Sequence, residues 1–156
     1  ITEFKIGEEK GYLSPVIDCF DGMPITWTVG TSPNADLVNT MLDNAIVLLK
    51  ENEHPIVHSD RGCHYRWSGW IQRMDEAGLT RSMSKKGCSP DNSACEGFFG
   101  RMKNEMFYGF EKDYPSFQAF SKVIAEYIDY YNNSRIQVKT KWMPPSKFRE
   151  ASMMES

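Results

Sequence analysis

Three strand-like stretches crowd into the first 29 residues, joined by gaps of only a few residues. Residues 1–4 form the first. The second, Tyr12-Leu13-Ser14-Pro15-Val16-Ile17-Asp18, is apolar and lies between Gly11 and the turn signal Asp21-Gly22. The third, Ile25-Thr26-Trp27-Thr28-Val29, alternates cleanly between β-branched and aromatic types. Parallel neighbours need crossovers of a dozen or more residues, so these three stretches predict an antiparallel meander. The period then changes. Val38, Met41, Leu42, Ala45 and Leu49 recur at helical spacing, which predicts a helix over 35–50 capped by Asn34. A buried strand over 56–60, a helix over 67–77 stopped by Gly78 and a last strand over 79–83 follow. After a loop over 85–90 carrying Gly87, Pro90 and two lysines, one helix runs to about 107. A long one spans 116–132, its apolar face made by Phe117, Phe120, Val123, Ile124, Tyr127, Ile128 and Tyr131.

The chain's 156 residues, 40% hydrophobic and 13% aromatic, suit one globular domain with a real core and exclude a disordered one. No apolar run approaches the ~20 residues that a membrane span needs. The four cysteines form no CxxC pair and, with three scattered histidines, no zinc pattern. They read as free thiols of a reducing cytoplasm. A formal net charge of −3 argues against a nucleic-acid partner until it is divided along the chain. Residues 1–60 carry a net −7, residues 61–103 a net +4, and the remainder is neutral. A phosphate backbone responds to local charge, so the basic middle third keeps nucleic acid open, beside the plainer reading of a solvated surface.

Two acids stand out among the 21. Asp60 closes the apolar run Pro55-Ile56-Val57-His58-Ser59 and is followed by Arg61-Gly62. Glu96 stands near the start of a helical stretch, with thirty-five residues between the two. A strand-end carboxylate and a helix carboxylate can meet on the same cations. Asn92, Gly100 and Lys103 fall at i−4, i+4 and i+7 from Glu96 and share its helix face. Gly100 would let a backbone approach and Lys103 would meet phosphate; Asn92 serves that face or caps the helix. His58 sits two residues before Asp60 and reads first as a satisfied structural histidine. Phe98 and Phe99 read as core.

These segments carry a resemblance. His58-Ser59-Asp60-Arg61-Gly62, Ser82-Met83-Ser84-Lys85-Lys86-Gly87 and Asp91-Asn92-Ser93-Ala94-Cys95-Glu96-Gly97-Phe98-Phe99 resemble the catalytic core of bacterial insertion-sequence transposases. The nearest group builds its transposase from two fused reading frames, and the chain is similar to the second. Tyr130-Tyr131-Asn132-Asn133-Ser134-Arg135 and Pro144-Pro145-Ser146-Lys147-Phe148 fit the same group, which is related to retroviral integrase cores. The likeness covers residues 1–149, leaving 150–156 as a C-terminal tail. It implies an α/β, RNase H-like fold: a mixed five-stranded sheet, three antiparallel strands plus two parallel, flanked by helices. The order of segments agrees.

The resemblance also implies an enzyme of the DDE type, in which three carboxylates hold two Mg²⁺ (or Mn²⁺) ions for DNA cleavage and 3′-OH strand transfer. Asp60 and Glu96 would be two of the three. The family's first aspartate lies in a segment of the form Thr-Asp-Ile-Thr, so its place here is the residue before Ile1, and the chain reads as an inactive fragment. Strand alternation turns Glu3 away from that face; Asp18 and Asp21 are the other possible replacements. Arg61, Lys85, Lys86, Asn92 and Lys103 would contact DNA. The expected partners are transposon ends, target DNA and further copies of the chain, with no membrane, in the bacterial cytoplasm at the nucleoid. At Arg135-Ile136-Gln137 the chain departs from a frequent Arg-x-His. Two readings stay open beside this one: a non-catalytic DNA-binding or assembly module, and a hydrolytic nuclease on the same fold.

Overall fold

The computed structural model describes residues 1–85 and 93–155. The meander is present: β1 (Thr2–Ile6), β2 (Glu9–Ile17) and β3 (Pro24–Gly30) pair antiparallel in that order. β2 starts three residues before the expected Tyr12, because Gly11 lies inside the strand and does not bound it. A Cβ there would come within 2.9 Å of Ile6 and 3.2 Å of the Phe120 ring, so the glycine lets a helix close onto the sheet.

Alternation along the strands divides the core in two. Leu13, with Ile17, Trp27 and Val29, faces one cluster with Phe4, Phe98, Met102, Phe120, Ile124 and Tyr131. Ser14, Val16, Thr26 and Thr28 face the other way. There the Thr28 hydroxyl donates to the Leu37 carbonyl at 2.6 Å, and Val16 packs on Val38, Met41, Leu42, Trp70 and Met74. Helices therefore cover both faces. α1 (Ala35–Val47), capped by the Asn34 side chain on Leu37 N–H, and α2 (Ser68–Glu76) lie on one side. α3 (Ser93–Met102) and α4 (Phe117–Asn133), capped by Ser116, lie on the other.

β4 (Ile56–Ser59) and β5 (Thr80–Met83) form the parallel pair, in register from Ile56 opposite Thr80 to Ser59 opposite Met83. Five strands of the expected senses are present, and their hydrogen bonding falls into a three-stranded and a two-stranded ladder. Ile1, Val57 and Met83 all pack on the α1–α2 core, which ties the ladders together through side chains. The expectation of a buried fourth strand does not hold: Ile56 is 69% exposed, because β4 pairs with β5 alone among the described residues and only Val57 of its apolar pair turns inward.

Two elements were not expected. The α3 helix widens after Met102 into a π-helical turn over Lys103–Phe107, closed by Tyr108 N–H to the Lys103 carbonyl at 2.7 Å. A final helix, α5 (Pro145–Met154), opens with a proline in its first turn and runs through the boundary expected after Arg149. No described helix is long and apolar enough to cross a membrane.

Candidate active site

Asp60 follows the last residue of β4 and is exposed. Its Oδ1 accepts the Gly62 N–H at 2.7 Å, while Oδ2 has no hydrogen bond among the described residues. Gly62 has φ −54°, open to any residue; what it supplies is space. A Cβ would stand 2.9 Å from Asp60 Oδ1 and 3.5 Å from the Tyr65 ring. Behind the carboxylate lies the buried Tyr65, its hydroxyl pushed to high pKa by burial first and then by the charges of Asp60 and Cys95.

Glu96 lies in the first turn of α3 and is likewise exposed. Burial raises the thiol of Cys95, the residue before Glu96, and Cys19, Asp60 and Glu96 add to that rise. Asp60 and Cys95 likewise both act on the Tyr65 hydroxyl. The end of β4 and the first turn of α3 thus share one neighbourhood. Neither Asp60 nor Glu96 is in an ion pair with a described residue. Among the described residues no three acids, histidines or cysteines stand close enough together to hold a metal ion.

The other expected residues are scattered around this centre. Arg61 is exposed beside Asp60, and Lys85 is exposed just past β5. Lys86 and Asn92 lie outside the described residues. Lys103 is half-buried with its ammonium 5.1 Å from the centre of the Phe4 ring; burial lowers its pKa and Glu3 works against that. A side chain at Gly100 would meet nothing within 4 Å, so that face of α3 is open. His58 is satisfied at both ring nitrogens, 2.9 Å from Ser82 Oγ and 3.0 Å from Ser84 Oγ, which fits the structural role. Asp18 and Asp21 are engaged elsewhere: the Arg149 guanidinium donates to Asp21 Oδ2 at 2.6 Å and to Asp18 Oδ2 at 2.9 Å. Phe98 is fully buried and Phe99 packs against the same core.

Two features escaped the sequence. Arg135 forks onto Glu105 at 2.7–3.0 Å, Tyr127 donates to Glu105, and Arg101 donates to the Tyr131 hydroxyl, which donates to Gln137. This network lines a cleft of about 640 Å³ with Tyr130 and Ile136. Burial pushes the Glu105 carboxyl up, but Arg135 outweighs it and holds the group below its ordinary value. The second is a loop over 137–143 whose backbone turns left-handed at Lys141 and Trp142. Glu105 and Arg135 lie 30 positions apart in the chain, and no periodicity links them.

The chain resembles known proteins along most of its length. A family described as integrase core domain matches residues 1–89, and a second model of the same description matches 96–153. The probable transposase for insertion sequence element IS1353 of Shigella flexneri is 52% identical over 151 residues, covering 97% of this chain. The chain spans only 29% of that protein's length. A transposase-like protein of Haemophilus influenzae is 43% identical over 98% of the chain and 69% of its own length. The catalytic core domain of HTLV-2 integrase in complex with magnesium superimposes with a TM-score of 0.70 at 15% identity, over 94% of this chain and 90% of that one, and shares the RNase H-like fold. The chain therefore belongs to the integrase core domain family and is an integrase-like core of the insertion-sequence transposase kind.

Proposed function

We propose that the chain is the catalytic core of a DNA transposase, in which Asp60 and Glu96 are two of three carboxylates serving strand cleavage and 3′-OH transfer. One observation carries this reading: both acids are exposed and unpaired among the described residues, and Asp60 acts on Cys95, the residue next to Glu96. Acids engaged in the scaffold look different here, as Asp21 does under Arg149.

The donor set fits hard divalent cations, since it offers carboxylate oxygens without histidine. Two such ions, when bound, supply activation of the attacking oxygen and stabilisation of the leaving oxygen. The chain's own part is positional. Gly62 N–H orients Asp60 by one oxygen and leaves Oδ2 to a ligand. The rigid first turn of α3 carries Glu96, and Phe98, buried two residues on, fixes that helix to the core. In the extended protein tested below, an aspartate placed ahead of Ile1 shares a strand face with Thr2 and Phe4. Arg61, Lys85, Lys86, Asn92 and Lys103 would contact DNA around this centre, and joining two DNA ends calls for more than one copy of the chain.

The test is a protein extended upstream by Thr-Asp, incubated with terminal-repeat DNA and Mg²⁺ or Mn²⁺. Nicking and joining are expected, lost in Asp60→Asn and in Glu96→Gln while DNA binding persists. Full activity in both variants rejects the assignment, and cleavage without joining assigns a hydrolytic nuclease instead.

A further inference from the structure

We infer that the loop over residues 137–143 is a DNA-strand contact beside the catalytic face, in which Trp142 stacks on a base while Lys139 and Lys141 hold phosphates. The inference rests on the proposed transposase reading and assigns to it residues that no spacing argument reached.

Lys141 and Trp142 have φ of 56° and 63° and are the non-glycine residues with positive φ among those described. In that region a Cβ crowds its own backbone, and glycine or asparagine is the ordinary occupant. Here two bulky side chains stand in succession, one of them the largest of all. The surrounding structure enforces the conformation. Thr140 is fully buried with its hydroxyl 2.5 Å from the Met143 carbonyl, and the Trp142 N–H reaches the Gln137 carbonyl at 2.8 Å. An over-determined strained backbone of this kind is characteristic of ligand-contacting loops.

The strain brings the ring no packing. Trp142 is 64% exposed and has no aromatic partner among the described residues. Lys139 and Lys141 are exposed, and neither has a carboxylate partner among the described residues. An exposed aromatic face with two lysines just before it in the chain matches a nucleic-acid strand, which offers a base to the ring and phosphates to the cations. Position selects DNA over another copy of the chain. The Lys139 ammonium lies 3.7 Å from where a Gly22 Cβ would stand, on the β2–β3 turn, which lies at the same end of the meander as the start of β1. A strand lying on the carboxylates has this loop within reach.

The test is fluorescence anisotropy with a labelled single-stranded oligonucleotide and a blunt duplex across a salt series, beside thermal melting. Trp142→Gly removes the ring and relieves the backbone. It is expected to melt no lower than the parent yet bind the single strand about tenfold more weakly. Trp142→Phe should recover most of the affinity. Lys139→Gln and Lys141→Gln should each flatten the salt dependence by about one ion. Unchanged single-strand affinity in Trp142→Gly overturns the inference, as does an affinity loss that tracks a change in oligomeric state at the same concentration. If wild-type binding responds to Trp142 but the extended protein performs no metal-dependent strand chemistry, the catalytic reading falls and the loop stands. If chemistry proceeds and binding ignores Trp142, the reverse holds.

Discussion

At the scale of single residues, small groups set the positions of the carboxylates. Gly62 is needed for its missing Cβ, which would otherwise stand 2.9 Å from Asp60 Oδ1. Gly62→Ala is therefore expected to displace that carboxylate and reduce strand cleavage well beyond its cost in stability, about 1 kcal/mol, as separate activity and denaturant measurements would register. Cys95 offers a second check. Burial holds its thiol above the ordinary value and partly covers it, whereas Cys19 and Cys63 are exposed. Mass spectrometry of a timed alkylation should find Cys95 modified after those two. Glu105 supplies a pH dependence with a definite sign. Its folded pKa is depressed by Arg135, so its contribution is present above the unfolded value near 4.5 and lost as pH falls through the lower folded value. The stability gap between wild type and Glu105→Gln should be about 1 kcal/mol at pH 7 and close on acidification below about pH 4.

At the scale of elements, α5 is held by chemistry that none of its own residues advertises. Arg149 reaches 131 positions back to Asp18 and 128 back to Asp21, whose side chain is 0% exposed, and Phe148 sets its ring 5.5 Å from Phe20. Removing the cation leaves a buried carboxylate whose remaining partner among the described residues is the Met23 N–H. Arg149→Ala is expected to cost about 2 kcal/mol, less than a fully buried pair would, because the arginine is partly exposed. Urea melts should show that loss, with Arg149→Lys intermediate. The other elements were legible, for identifiable reasons. The α4 stripe is intact, with Phe120, Ile124, Tyr127, Ile128 and Tyr131 all buried, because one face of a long helix repeats often enough to be read. The Asn34 and Ser116 caps stand where expected, because capping is a local bond. Gly11 and Ile56 misled because a glycine's reason and a strand's burial depend on what packs against them.

At the scale of the whole molecule, layers of helix on both sides of the strands put strand ends and one helix turn at a common edge, and the segment that links Asp60 to Glu96 is the basic third of the chain. Binding to DNA should accordingly weaken steeply with salt despite the net charge of −3, and a salt titration of affinity measures the number of phosphates engaged. The sequence alone determined the strand and helix order, the pair Asp60 and Glu96 with the family they resemble, and the charge division, because each is written in local pattern or spacing. Only the tertiary structure decided that Asp60 acts on Cys95, the neighbour of Glu96, and that Asp18 and Asp21 belong to Arg149. It alone decided that Lys141 and Trp142 turn left-handed with the ring in solvent. Those outcomes depend on contacts between segments up to 131 residues apart, and such contacts leave no period in the chain to be read.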